Sequence, residues 1–400
     1  MISFSEAFQL ILNQIQPLGS ENIDIFAASG RVAAKDLFST VDSPSVDVSL
    51  KDGYAIISSD IKDASPKNQI PLNLVGMVTA GARWDGKIKS GQALRILSGA
   101  PVPDGADAVV SEEFTDQRKN QILVFNDAGP GRNILYTGSD VKKGRVLVFE
   151  GSTLFPPKIG LLAAAGYSSV PVIRRPRVGI LATGDEVIAP GEPLVVGKLF
   201  ASNLVTLAAW CQSFGFNVIT RVVKDNEQTI RQAMIGILEE SDVLLTSGGA
   251  WSGERDLVVK ILAELGWKKI FHRVRMGPGK AVGFGSLKNK PIFCLPGGPP
   301  SNHMAFLQLA LPGLQMMAGS ESPGLPTQRV RVAEEISGQT DWTQFIHGAI
   351  KEELGESVFY PIHQKSRLQM ISNTDGIINI PEGQTLINES DIVWAQKLTW

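Results

Sequence analysis

The residues from 178 to 311 alternate between short apolar runs and longer helical patterns, and this alternation constrains the fold most. Strands are predicted at the residues 178–182, 218–223, 242–246 and 291–295, and helices at 204–214, 227–239, 256–265 and 302–311. Strands that alternate with helices at this spacing indicate a parallel sheet with crossover helices, for which a doubly wound sheet is the natural arrangement. The sequence therefore predicts an α/β domain in this segment.

The segments on either side of this region have a different, β-rich pattern. From about 23 to 175, short β-branched runs are separated by Gly, Pro, Asp and Asn, which predicts one or two β-rich domains with long loops. Residues 325–400 predict a small C-terminal β-domain. Helices are expected at 3–16, with Ser3 or Ser5 as the N-cap, and at 158–165. A chain of 400 residues is too long for one core, so two to four domains are expected.

The composition excludes several classes of protein. Hydrophobic residues make up 43% and charged residues 20% of the chain, with a formal net charge of -2, which is typical of a globular protein and gives no reason to expect nucleic-acid binding. Cys211 and Cys294 lie in apolar surroundings and are expected to be buried and unpaired, as in a reducing compartment. No secretory signal and no run of ~20 apolar residues is present, so we expect a cytoplasmic protein without a membrane partner.

Four strand-to-helix junctions of the α/β segment carry the candidate site, because open α/β sheets bind ligands at the carboxyl ends of their strands. Glycines allow the backbone to approach a ligand, and helix N-termini attract anions. Carboxylates beside such an anion pocket repel one another unless a hard cation lies between them, which predicts Mg²⁺ together with a phosphorylated or nucleotide ligand. The junctions supply Thr183, Gly184, Glu186, Asp225, Ser247, Gly248, Gly249, Asp256, Pro296 and Gly297.

Each of these residues also has a simpler interpretation. Asp225 could be the N-cap of the helix that follows it, and Asp256 could cap the first turn of its own helix. Gly248 with Gly249 could form only a tight turn. Glu186 and Lys280 could be solvated loop charges. The prediction of a site therefore depends on the convergence of these residues at one sheet edge.

Read in order, the same residues form motifs that resemble those of the molybdopterin molybdenumtransferase family (MoeA, and the E domain of gephyrin). The likeness covers essentially the whole chain, and its N-terminal half agrees independently of the α/β half. The matching segments are 47–55, 98–110, 131–140, Thr183-Gly184-Asp185-Glu186, 197–203, Thr246-Ser247-Gly248-Gly249, 253–256, Pro278-Gly279-Lys280 and Leu295-Pro296-Gly297.

The resemblance implies a fold of α/β plus β class. It implies a doubly wound α/β domain similar to MogA, β-rich N-terminal domains and a small C-terminal β-barrel. The implied domains are 1–40 with 145–175, 41–144, 176–322 and 323–400. The family is usually a homodimer, with its cleft between the α/β domain of one subunit and the second domain of the other.

The implied reaction inserts molybdate into adenylylated molybdopterin with Mg²⁺ and releases AMP. A molybdopterin adenylyltransferase is a further implied partner. Cleavage of the phosphoanhydride needs charge neutralisation and positioning rather than a covalent nucleophile. Carried over residue by residue, the catalytic set is Asp52, Ser98, Asp140, Glu186, Asp256 and Lys280. The cofactor-binding set is Thr183, Gly184, Asp225, Ser247, Gly248, Gly249, Arg273, Pro296 and Gly297, and the metal ligands are Glu186, Asp225 and Asp256.

The chain departs from the family pattern at four positions, three of which carry a cation in the family. Gly277 replaces a lysine, Arg273 takes the place of another lysine, Gly298 replaces an asparagine, and His347 stands where an arginine is frequent. Fewer fixed cations would weaken oxyanion binding or alter its selectivity. Two alternatives to the transferase therefore stay open: a non-catalytic pterin- or molybdate-binding or scaffolding protein of the same fold, and an unrelated nucleotide-dependent transferase. The retained charged residues favour the enzyme.

Overall fold

The computed structural model describes residues 1–248 and 257–398. The chain divides into two compact units, one formed by residues 1–21 with 173–400 and the other by residues 22–172. Within residues 1–248 and 257–398, no helix combines the length and the apolar character that crossing a bilayer requires.

The first unit contains the predicted α/β domain, built on a six-stranded sheet. Its strands lie in the order Asn217–Val223, Arg177–Thr183, Val243–Ser247, Lys290–Leu295, Gly283–Leu287 and Lys268–His272. The first four are parallel. The last two are antiparallel additions at one edge, which the sequence did not predict.

Helices cover both faces of this sheet, which confirms the doubly wound prediction. On one face Ser202–Ser213 packs with the N-terminal helix Phe4–Gln14, which Ser3 caps by accepting a hydrogen bond from the Glu6 N–H. On the other face Glu227–Glu240 packs with Leu257–Glu264. Each helix contributes to an apolar core because its apolar residues recur at helical spacing and therefore share the face that packs on the sheet.

The last helical segment of the α/β domain is longer than predicted. The sequence predicted a helix at 302–311, whereas the structure has Pro299–Ala305, a π-helical turn at Phe306–Ala310 and a further helix at Leu311–Met317. Pro299 and Pro300 fit the first turn of a helix, where a missing N–H leaves no bond unmade, so the helix begins directly after Gly298.

A closed five-stranded barrel follows in the same unit. Thr343–Glu353 pairs both with Glu356–Pro361 and with Gly376–Ile380. Thr327–Val332 pairs with Glu356–Pro361 on one side and with Ile392–Lys397 on the other. Ile392–Lys397 in turn pairs with Gly376–Ile380, which closes the ring. The barrel is joined to the α/β domain by Val274–Gly277, which runs parallel to Thr343–Glu353 and on its other side pairs with Ile2–Ser3. A short helix, Arg367–Ser372, and a short strand pair, Ile336–Ser337 with Leu386–Ile387, complete it.

The second unit is β-rich, as predicted. Its six-stranded sheet has the order Ala108–Ser111, Gly53–Ile56, Gln92–Ile96, Ile70–Val78, Gln121–Val124 and Thr115–Arg118. A single α-helix, Pro156–Ala164, lies among its described residues. Short strands complete this part of the chain: Leu37–Phe38, Val48–Ser49, Ile134–Leu135, Val146–Val148, Ser169–Ile173 and, at the unit boundary, Ser20–Asp24.

The α/β domain of the first unit has two further short strands, Val187–Ile188 and Leu199–Phe200.

Candidate functional site

A cleft of about 780 Å³ opens at the carboxyl ends of the parallel strands, where the sequence predicted a site. It is lined by Ala182, Thr183, Glu186, Val187, 199–204, Ser247, Gly248, Gly297, Gly298, Pro299 and 366–368. Three of the four predicted junctions therefore contribute to one wall. The remaining wall comes from the C-terminal barrel.

The strand Arg177–Thr183 ends at the cleft with a buried hydroxyl. Thr183 is only 4% exposed, and its Oγ1 has no hydrogen-bond partner within the described part of the chain. A buried hydroxyl without a partner is destabilising, so its position on the cleft wall provides a hydrogen bond that a ligand or a water can complete.

Glycines bring the neighbouring backbone segments close together at this point. Gly248 has φ +97°, and a Cβ placed there would lie 2.7 Å from the carbonyl oxygen of Thr183. A Cβ at Gly297 would lie 3.7 Å from the Cα of Gly248. Position 248 therefore requires glycine both for its dihedral angle and for space. The absent side chains leave backbone facing a prospective anion.

Two asparagines hold the loop that follows the fourth parallel strand. Asn302 is 1% exposed and donates from Nδ2 to Ser247 Oγ at 3.1 Å and to the Pro296 carbonyl at 2.8 Å. Asn203 donates to the Gly297 carbonyl at 2.8 Å. These bonds fix Ser247 and the predicted Pro296–Gly297 turn at the same edge.

Carboxylates converge beside this wall. Partial loss of hydration raises the pKa of Asp225, and the negative charges of Asp185 and Glu186 raise it further. Asn226, not Asp225, caps the following helix by accepting from the Thr229 N–H at 3.0 Å. The simpler interpretation of Asp225 as that helix's N-cap is therefore wrong.

Two of the three predicted metal ligands, Glu186 and Asp225, lie within the described residues. Within residues 1–248 and 257–398, no group of three His, Cys, Asp or Glu side chains is arranged to hold a metal ion. Glu186 and Asp225 are close enough to repel each other electrostatically. The third predicted ligand, Asp256, lies outside the described residues, as does Gly249.

Lys280 lines a second cleft, of about 570 Å³, which shares Gly297 and Gly298 with the first. Its Nζ lies 5.1 Å from the ring centroid of Trp342, a cation–π contact. Lys280 is thus an exposed charge, but one fixed against an aromatic face beside the site. Arg273, with φ 73°, lines neither cleft.

In the second unit, two of the three predicted residues meet. The Ser98 N–H donates to Asp52 Oδ1 at 2.7 Å, and both residues are exposed. Gly53 is required beside them, because a Cβ there would lie 2.0 Å from the Val110 carbonyl oxygen. Asp140 is also exposed, and its N–H donates to the Ser43 carbonyl at 3.0 Å.

His347, which replaces a frequent arginine, is buried against a second histidine. The rings of His303 and His347 lie 6.1 Å apart at 13°. Burial lowers the pKa of His303 to about 3, with a smaller contribution from His347, and lowers the pKa of His347 to about 4. Both rings are therefore neutral at neutral pH. His347 supplies no positive charge to either cleft.

The hydrogen bonds of this pair fix the tautomers. The Trp210 indole can only donate, and it does so to His303 Nε2 at 3.0 Å, so His303 carries its hydrogen on Nδ1. Thr374 Oγ1 donates to the Met370 carbonyl at 2.7 Å and therefore accepts from His347 Nδ1 at 3.2 Å. The other nitrogen of each ring, His303 Nδ1 and His347 Nε2, is buried and lacks a partner among the described residues.

Sequence reasoning missed the C-terminal wall of the main cleft. Ser366, Arg367 and Leu368 line it from the start of a short helix. No local pattern connects this helix with a sheet edge far away in sequence. The available signal was a hydroxyl next to an arginine in a polar stretch, which is too common to identify a site.

Comparison with known proteins agrees with this geometry. Residues 2–166 match the family model described as the MoeA N-terminal region (domain I and II), and residues 179–316 match the probable molybdopterin binding domain. A molybdopterin molybdenumtransferase of Haemophilus influenzae is 32% identical over 324 residues, covering 80% of this chain and 79% of that protein. The chain belongs to the molybdopterin molybdenumtransferase family.

Two further relatives of the family cover the chain from end to end. A molybdopterin molybdenumtransferase of Nostoc sp. is 29% identical, with 100% of this chain and 94% of that protein aligned. The crystal structure of a molybdopterin biosynthesis MoeA protein from Pyrococcus horikosii superposes with a TM-score of 0.86 at 29% identity and covers 100% of both chains. The predicted fold class, including the C-terminal barrel, is confirmed, and an unrelated transferase on a shared sheet type is excluded.

Proposed function

We propose that this protein inserts molybdate into adenylylated molybdopterin, with Mg²⁺-dependent release of AMP. The observation that carries the proposal is the cleft itself. One wall at the carboxyl ends of the parallel strands is formed by Thr183, whose buried hydroxyl has no partner among the described residues, and by Gly248, Gly297 and Glu186. This combination suits a phosphate-bearing ligand.

The residues fit a magnesium ion in their chemistry. Partial burial raises the pKa of Asp225, and repulsion from Asp185 and Glu186 raises it further; a cation between such carboxylates would relieve that repulsion. Magnesium is commonly held by one or two carboxylates, with substrate phosphates completing its shell. Glu186 and Asp225 would hold it, and when bound it would neutralise charge on the phosphoanhydride that breaks.

The chain's own groups then position the two reactants. Thr183 and the backbone at Gly248 and Gly297 would hold the phosphate in the main cleft. Lys280, fixed over Trp342 in the adjoining cleft, would attract molybdate, a dianion. Because both clefts meet at Gly297 and Gly298, the two ligands would lie side by side.

The proposal is tested by incubating the purified protein with adenylylated molybdopterin, Mg²⁺ and either molybdate or tungstate, and measuring AMP release. Glu186→Gln should lower the rate at least about 100-fold, since it removes a charge that positions the metal. Glu192→Gln is the matched control, because Glu192 is exposed in the same loop region and does not line the cleft. Pterin binding without AMP release by the wild type would instead indicate a storage or scaffolding protein.

We also propose that the active protein is a homodimer in which Asp52 and Ser98 complete the cleft of the opposite subunit. Asp52→Asn and Glu186→Gln should each be inactive alone. Co-expressed in equal amounts, they should recover about a quarter of the wild-type rate, because half of the dimers then carry one intact site. An active monomer in light scattering, or no recovery on co-expression, would contradict this arrangement.

A further inference from the structure

Arg367 is the one basic side chain among the described residues that line the main cleft. It is exposed and makes no hydrogen bond or ion pair with another described residue. Glu186 is the other charged residue in that lining. Lys280 lies in the adjoining cleft and is held over Trp342. Within residues 1–248 and 257–398, an anion in the main cleft therefore meets one positive side chain, which has no hydrogen bond or ion pair there.

The helix that carries Arg367 is anchored, so the backbone from which this side chain extends has a defined position. Ser366 caps the helix Arg367–Ser372 by accepting from the Gln369 N–H at 3.4 Å. At the other end, the Met370 carbonyl accepts from Thr374 Oγ1 at 2.7 Å, and that hydroxyl accepts from His347. The chain of contacts continues from His347 to His303 on the α/β domain. The neutral histidines thus tie the helix to the domain whose cleft it lines.

We infer that Arg367 is an anion-binding residue of this cleft, holding a phosphate group of the bound nucleotide opposite the Thr183 hydroxyl. The inference rests on the proposed function for the class of ligand. Arginine stays charged at all relevant pH values and presents a planar fork that matches two phosphate oxygens. Across the cleft, the buried hydroxyl of Thr183 has no partner among the described residues, which independently indicates a hydrogen-bonding ligand.

The test compares binding of AMP with binding of adenosine, which lacks the phosphate, by titration calorimetry. Arg367→Ala should raise the Kd for AMP about tenfold and leave adenosine binding unchanged. Arg367→Lys should fall between the wild type and the alanine variant, because it keeps the charge and loses the fork. Lys365→Ala is the matched control, since Lys365 is an exposed neighbour that does not line the cleft. Circular dichroism checks that each variant is folded.

The outcomes separate this inference from the transferase proposal. Equal AMP affinity of the wild type and Arg367→Ala would overturn the role of Arg367, whether or not the protein turns over. A wild type that binds no AMP would overturn it as well. AMP binding that depends on Arg367 in a protein that never releases AMP from adenylylated molybdopterin would support Arg367 and overturn only the transferase.

Discussion

The wall of the main cleft and the contact between His303 and His347 both contain polar atoms that lack a partner in the described part of the chain, but their surroundings differ. Thr183, whose hydroxyl is buried, belongs to a residue set that lines an open cleft. The free nitrogens of the two histidines are enclosed between the α/β domain and the barrel. Desolvation is the main cause of the pKa shift of Asp225 and of both histidines, and the neighbouring negative charges of Asp185 and Glu186 add to it at Asp225.

This difference separates groups kept for a ligand from groups kept for packing. A hydrogen bond that is missing at a cleft wall can form when a ligand binds, so the unfavourable free energy of the unpaired group is removed in the complex. An unmade bond in a closed contact is never completed, and the histidines remain there only because they stay neutral. Removing a polar group should thus alter ligand binding in the first region and stability in the second.

The largest expected effect concerns the cleft wall. Gly248→Ala should lower the free energy of unfolding by about 2 kcal/mol or more, because φ is +97° and the new Cβ would lie 2.7 Å from the Thr183 carbonyl oxygen. It should also abolish ligand binding by displacing that wall.

Gly236→Ala is the control, because Gly236 lies inside the helix Glu227–Glu240 with nothing within 4 Å of its Cβ position. That change should stabilise by about 0.5–1 kcal/mol. Urea unfolding measures the free energy of unfolding of both variants. Equal effects of the two substitutions would contradict the assignment of Gly248 to a constrained wall.

The histidine contact should have little effect on the pH dependence of stability near neutral pH, and its effect should grow as the pH falls. In the unfolded chain each of these histidines has a pKa near 6.5, whereas in the folded protein the pKa is about 4 for His347 and about 3 for His303. Stability is therefore fully present above pH 6.5 and is lost as the pH falls, by roughly 3 kcal/mol from His347 alone at pH 4.

The measurement is urea unfolding at a series of pH values between 7 and 4. His347→Phe should flatten the dependence, while His363→Gln, which changes an exposed histidine, should leave it unchanged. An equally steep loss of stability in His347→Phe and in the wild type would show that other groups govern the acid sensitivity.

Much of the α/β domain could be predicted because its signals are local. The strand Arg177–Thr183 and the helix Glu227–Glu240 follow from apolar periodicity, and the glycine and carboxylate junctions follow from the rule that parallel strands end at one sheet edge. The two antiparallel edge strands were missed, because Lys268–His272 and Gly283–Leu287 have no clear alternation and are defined by their partners.

The sequence by itself determined the fold class, the family motifs and the residues at the carboxyl ends of the strands, since each depends on spacing along a few turns or strands. Only the tertiary structure decided that Asn226 rather than Asp225 caps its helix, that Glu186 and Lys280 line adjoining clefts, and that Arg367 completes the main one. It also decided that His347 is neutral and packed against His303. The physical reason is that charge state and cleft membership depend on neighbours brought together by folding, which no local pattern encodes.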